Sequence, residues 1–351
     1  MDRTIGARDG FSNAILQQLK NPIVRILLKH FNLERIGLQL PLLLFTCTVL
    51  TIFLSLDVLI SYATKNAYGT YDYCSSSVVT YVEFMKICIS LFFLLRNSPD
   101  FIMEQARAMS WQLVFLSAVP AILYAINNNL VFLILRYLEP ALFQILSNFK
   151  IISTAVLMRF VLHKRFTGLH YLTLVLLMLV ISWTQYVPSA TTKSSRTVGV
   201  LLAILYTFNS SFASVFTEYF LKRYSHISVH AQNTSLYFWG VLFNLVYWFA
   251  IDRDPVRSNF FSGWTPAVWL LVLTMSCSGL LISIIMKFAN NIVKVFCSSA
   301  SIVLCIYASW LLFGVAVTMQ HLFGAMAVGS IIVLYNLLPP AADRLEKLSA
   351  R

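Results

Sequence analysis

Apolar runs of about twenty residues follow one another from residue 40 almost to the C-terminus, separated by short polar breaks. A hydrocarbon core about 30 Å thick is crossed by about 20 apolar helical residues rising 1.5 Å each. On that measure ten spans are predicted, near 40–62, 75–95, 112–134, 140–162, 169–186, 197–221, 231–251, 265–288, 292–313 and 319–338. The breaks are short, so the pattern predicts one compact all-α polytopic membrane body. Ahead of it, Ile15, Leu19, Ile23, Ile26 and Leu27 recur at helical spacing among Lys20, Arg25, Lys29 and Arg35. Residues 1–39 therefore suit an amphipathic helix lying on anionic lipid or, with Pro22 against the helix, a basic tail. Residues 339–351 form a second polar tail.

Polar residues inside the spans carry the functional signal. Tyr124 to Ala155 joins two apolar spans yet holds Asn127, Asn128, Asn129, Gln144, Asn148 and Lys150. A lysine at mid-bilayer costs about 2.5–3.5 kcal/mol on insertion scales, so it is expected to face a cavity or a partner. On a helical projection Phe143, Gln144, Ser147, Asn148 and Lys150 share an arc of about 160°, with Leu142, Ile145, Phe149 and Ile152 opposite. The ninth span repeats the theme with Lys294, Ser298, Ser301 and Cys305 in one stripe. Small residues there leave room for a ligand or let another helix approach, but close packing does not account for the lysine. Lys150 followed by Ile-Ile-Ser-Thr-Ala, and Lys294 followed by Val-Phe-Cys-Ser-Ser-Ala, form a weak internal repeat. Equivalent polar positions in two halves point to a five-plus-five inverted repeat, 40–186 and 197–338, with its site between them.

Other in-span polar groups divide into contacts and supports. Glu83 and Lys86, three apart, are expected to pair and so lower each other's burial cost. Glu218 and Lys287 are further structural or coupling charges, and Asp57 is expected to reach the interface. Tyr124 and Asn128 share a face of the third span, one turn after the helix-bending Pro120. The seventh span opens with Gln232 and Asn233. Amides offer both donor and acceptor to a base edge, and lysines meet phosphate as point charges. This set suits a solute with a polar head and a phosphate.

Composition narrows the classes. The 351 residues are 58% hydrophobic and only 11% charged, far from the roughly 25% charged residues of soluble domains. The net charge of +12 would suggest nucleic acid in a soluble chain. Here Lys and Arg concentrate fifteen to six on the segments sharing a side with both termini, which predicts cytosolic termini and no nucleic-acid partner. The six cysteines show neither a disulfide framework nor metal-ligand spacing. No zinc motif, Walker loop or nucleophile–base spacing occurs, so no catalytic residues, metal or cofactor are expected, and the chain does not read as an enzyme.

Ala118 to Ala155, Gly279 to Leu304, Phe212 to Lys222 and Glu83-Phe-Met-Lys86 together resemble the nucleotide-sugar transporters of the drug/metabolite transporter superfamily. The resemblance lies on the CMP-sialic acid and UDP-galactose transporter branch and covers roughly 75–338. It implies ten helices in a Golgi or ER membrane, exchanging a cytosolic nucleotide sugar for lumenal nucleoside monophosphate. The family's phosphate-facing lysines fall on Lys150 and Lys294, and its nucleotide-contacting amides on Asn128 and Asn233. Tyr124, Phe143, Gln144, Ser147 and Ser298 complete the expected contacts. Phe143 stands where the family has tyrosine, Asn127 where it has Gln, and Lys287-Phe288-Ala289-Asn290-Asn291 where it has Lys-Tyr-x-Asp-Asn. The Asn148-Phe149-Lys150 pattern looks closer to probable UDP-sugar transporters and to plant-type CMP-sialic acid transporter-like proteins. Readings left open are another phosphorylated metabolite, a non-transporting scaffold, and a homo-oligomeric state.

Overall fold

A computed structural model describes residues 40–64, 71–138, 140–186, 196–252, 259–314 and 316–339. The expected amphipathic segment and C-terminal tail lie outside the described residues. The first half holds α1 (Leu40–Ala63), α2 (Ser75–Leu95), α3 (Pro99–Ala108), α4 (Trp111–Tyr137), α5 (Pro140–Ser147), α6 (Lys150–Val161) and α7 (Gly168–Thr184). The second holds α8 (Arg196–Arg223), α9 (Val229–Tyr247, extended by a π turn through Asp252), α10 (Pro266–Phe288), α11 (Asn291–Phe313) and α12 (Met319–Leu337).

The boundaries have local causes. Side-chain oxygens of Ser98, Ser110, Thr167, Ser228 and Asn290 accept backbone N–H bonds at the starts of α3, α4, α7, α9 and α11, where no intrahelical acceptor exists. Gly314 ends α11 at φ 67°, a left-handed conformation that needs no Cβ. Pro120 is absorbed within a continuous α4.

Among the described residues eight helices are long and apolar enough to cross a membrane: α1, α2, α4 and α8 to α12. The expected fifth span is the shorter apolar helix α7, 17 residues long. The expected fourth span is not one helix. Its ladder tightens at Asn148–Phe149, where Phe149 N–H reaches Leu146 and Ile151 N–H reaches Asn148, three residues back. Asn148 is anchored sideways, donating to Ser182 (3.2 Å) and Gln185 (2.9 Å) of the α7 end, which holds the turn in place.

The halves interlock. α1 packs on α10 and α11, α2 on α9 and α10, α4 on α8 and α9, α6 on α8, and α7 on α12. With α5 and α6 counted as one segment, exchanging each segment with the one five places on leaves this pattern unchanged. The α1–α10 contact answers to α4–α8, α1–α11 to α6–α8, and α4–α9 to α2–α10. The largest apolar core joins Ile151, Met158, Leu174, Leu177, Phe296 and Tyr335 from α6, α7, α11 and α12. Leu44, Phe45, Phe92, Trp111 and Leu311 face outward, the outside of a body solvated by hydrocarbon rather than water.

Candidate functional site

Two adjoining cavities lie among α2, α4, α6 and α8–α11, and Lys294 lines both. The larger, about 220 Å³, is bounded by Glu83, Lys86, Tyr124, Asn128, Tyr237 and Asn244, among others. The smaller, about 100 Å³, holds Lys150 and Lys294 with Asn148, Asn291 and serines of α8 and α11. No Asp or Glu lines the smaller one. Two like charges confined in a low-dielectric space repel, so the small cavity is electropositive and suited to an anion.

Lys150 owes its place to serine contacts between α6 and α8. Ser153 and Ser211 lie 2.6 Å apart, and Ser211 also donates to the Lys150 carbonyl at 3.3 Å. Small side chains let these helices approach closely enough for such bonds. Among the described residues the Lys150 ammonium has no hydrogen-bond or ion-pair partner. Lys294 donates to Ser214 Oγ at 2.6 Å, and Ser214 donates to Asn291 Oδ1 at 2.9 Å. A hydroxyl that accepts from an ammonium has its own proton to give, so the Asn291 carbonyl faces it.

In the large cavity Glu83 and Lys86 pair at 2.5 Å, as their spacing predicts. Lys86 also lies 4.2 Å from the centre of the Tyr237 ring, within cation–π range. Tyr237 Oη and Ser283 Oγ share a 2.8 Å bond. Two glycines make room for the pair. A Cβ on Gly240 would stand 2.9 Å from Glu83 Oε2, and one on Gly279 2.8 Å from Lys86 Cδ.

Asn127 and Asn128 diverge, as 100° per residue requires. Asn127 accepts from Asn209 of α8 at 2.8 Å, and Asn128 faces the large cavity. Asn148, Lys150, Lys294, Ser298, Tyr124 and Asn128 are thus brought to the cavities. The expected single arc of the fourth span is corrected by the turn at Asn148. Phe143 packs edge-on against Tyr206 of α8, Gln144 is exposed, and Ser147 turns back to the Gln144 carbonyl, and none of the three lines either of these two cavities. Asn233 is buried behind the wall with Oδ1 unpartnered. Asp57 does not simply reach the interface: Ser278 of α10 donates to it at 2.8 Å. Lys287 is buried and donates to the Ile227 carbonyl and, at 2.7 Å, to Gln232 Oε1, a structural closure of the α8–α9 turn. Tyr237, Gly240 and Asn244 were legible as the helical continuation of Asn233; Asn291 and Ser214 carry no charge to mark them.

At one end of the bundle Glu218, fully buried, accepts from Lys164 (2.9 Å), Lys222 (2.7 Å) and the Asn291 backbone N–H (2.8 Å).

The family model for nucleotide-sugar transporters matches residues 38–336. The chain is 34% identical to a probable UDP-sugar transporter protein of Xenopus tropicalis, over 76% of this chain and 84% of the relative. It is 32% identical to CMP-sialic acid transporter 1 of Oryza sativa subsp. japonica, over 73% and 82%. It is 30% identical to a UDP-N-acetylglucosamine/UDP-N-acetylgalactosamine transporter of Caenorhabditis elegans, over 87% and 94%. A solved crystal structure at 14% identity superposes with a TM-score of 0.62, covering 86% of this chain and 98% of that one, which speaks to the fold alone.

Proposed function

We propose an exchange activity for this chain, which belongs to the nucleotide-sugar transporter family and is a multi-pass membrane protein, not an enzyme. The solute is a cytosolic pyrimidine nucleotide sugar, CMP-sialic acid or a UDP-sugar, and the counter-solute is the lumenal nucleoside monophosphate. The carrying observation is the acid-free cavity shared by Lys150 and Lys294, which has Lys294 in common with a larger one offering Asn128, Tyr124 and Tyr237. Phosphate is common to both solutes and binds between the lysines; base and sugar occupy the larger space. The relatives' names, spanning UDP- and CMP-linked sugars, support the pyrimidine class.

The cycle is alternating access between two five-segment halves related as an inverted repeat. The exchange-invariant packing of the segments supports this reading. An empty site leaves the Lys150 ammonium without a counter-charge, so reorientation without an anion is costly and exchange is favoured over uniport. Cytosolic termini fit the Lys and Arg asymmetry, and a Golgi membrane fits the family. The deciding experiment loads proteoliposomes with UMP or CMP and offers a panel of UDP- and CMP-sugars. Uptake that needs the trapped monophosphate and is inhibited by free UMP or CMP supports exchange; equal uptake into empty vesicles defeats it.

A further inference from the structure

The Glu218 cluster ties the two halves together at the end of the bundle where α6, α8 and α10 finish and α7 and α11 begin. Lys164 comes from the α6–α7 loop of the first half. Glu218, Lys222, Ala289 and Asn291 belong to the second. The loop is shaped to deliver Lys164. His163 before it has φ 51°, a left-handed conformation uncommon outside glycine, and Lys164 N–H reaches back to the Met158 carbonyl. Lys222 cannot do the same job. It sits one turn along α8 from Glu218 and, among the described residues, bonds otherwise only to the Ala289 carbonyl, within its own half.

The cluster is also wired to the cavity. Glu218 Oε2 holds the Asn291 backbone N–H, Asn291 Oδ1 takes the Ser214 hydroxyl, and Ser214 Oγ takes the Lys294 ammonium. A buried carboxylate with two ammonium groups and a backbone donor is satisfied here, and drawing Lys164 away leaves it with Lys222 and Asn291 still in place. Release on one side is therefore permitted without stranding the charge. That is the property of a contact meant to open.

We propose that the Glu218–Lys164 ion pair is the lock between the two halves at this end of the pathway, and that the Asn291–Ser214–Lys294 chain makes its release respond to an anion in the cavity. The assignment rests on the exchange reading for its anion, a nucleoside monophosphate. It rests on geometry alone for the lock.

The test is hydrogen–deuterium exchange of the purified full chain, followed at peptides covering 162–167 and 286–294. Lys164→Ala is expected to raise uptake at 286–294, across the interface from the substitution, at least fivefold, and Lys164→Arg to restore the wild-type rate. UMP or CMP is expected to change uptake at 286–294 in the wild type and not in Ser214→Ala. Unchanged uptake in Lys164→Ala, or a rise spread evenly through α7 and α12 as well, overturns the lock. A local rise with no response to either monophosphate overturns its coupling to the cavity. If the local rise appears while no nucleotide is transported by the wild type, the lock stands and the exchange reading falls.

Discussion

Lys294 donates to Ser214 Oγ at 2.6 Å, so the lysine common to both cavities is held by a neutral hydroxyl and not by a carboxylate. Its position is fixed while its charge stays available to an arriving anion. Lys86, in contrast, is already neutralised by Glu83 at 2.5 Å and rests on the Tyr237 ring. The cavities thus separate a charged end from a compensated one. A UDP-hexose has the same division, with its charge on the phosphates and neutral polar surface on base and sugar.

Replacing Ser214 by Ala removes the tether without touching the charge. Hydrogen bonds inside membrane proteins average about 0.6 kcal/mol and reach about 1.7. A three- to twenty-fold weaker UMP affinity is expected, measured as a raised KM in counterflow. A wild-type KM contradicts the tether.

Lys150→Ala should cost more, because it removes an ammonium with no other partner among the described residues. Hydrogen bonds to charged groups contribute about 1.5–3 kcal/mol, so exchange is expected to fall about 10- to 100-fold. Lys150→Arg should recover part of the loss. On the proposal that both lysines address one phosphate, Lys150→Ala with Lys294→Ala should fall short of the product of the single effects. Full activity in Lys150→Ala removes its proposed role.

Much of this was legible in the chain and some was not, for physical reasons. The polytopic all-helical class showed itself because hydrocarbon demands long apolar helices, and eight of the ten expected spans are such helices among the described residues. The Glu83–Lys86 pair followed from helical spacing alone. Phe143, Gln144 and Ser147 fall outside the two cavities because the helix is not regular through Asn148, whose side chain is claimed by Ser182 and Gln185, 34 and 37 residues away. Projection assumes a regular ladder, and a long-range bond can break it. Asn291 was missed because its importance depends on neighbours from other helices.

Gly240 should be intolerant of a methyl group. Its added Cβ would meet the Glu83 carboxylate, which is held against Lys86 and cannot swing aside freely. Gly240→Ala is expected to destabilise by about 1–3 kcal/mol, in the range of core overpacking, and to lower transport with it. Gly329→Ala, where a Cβ meets nothing within 4 Å, is the control and should leave the thermal unfolding midpoint unchanged.

Lys287 is expected to behave as a structural group. Lys287→Met keeps volume but strands the Gln232 amide oxygen and the Ile227 carbonyl, each a buried acceptor worth about 1–3 kcal/mol when unpaired. The variant should unfold at lower temperature yet, where folded, show wild-type KM for the monophosphate. A raised KM with unchanged stability would instead make Lys287 a ligand contact.

Tyr237 separates two contributions that one side chain makes. Its hydroxyl bonds Ser283, and its ring face carries Lys86. Tyr237→Phe removes only the first, and Ser283 keeps a bond to the Gly279 carbonyl at 3.3 Å, so nothing buried is stranded. Tyr237→Leu removes the ring as well, with a cation–π term of about 0.5–2 kcal/mol and one wall of the large cavity. Exchange is therefore expected to stay within about threefold of wild type for Phe and to fall well below that for Leu, with KM for the nucleotide sugar rising more than KM for the monophosphate. Equal loss in both variants would mean that the hydroxyl, not the ring, is what the cavity needs. Unchanged transport in Leu would place the sugar or base elsewhere.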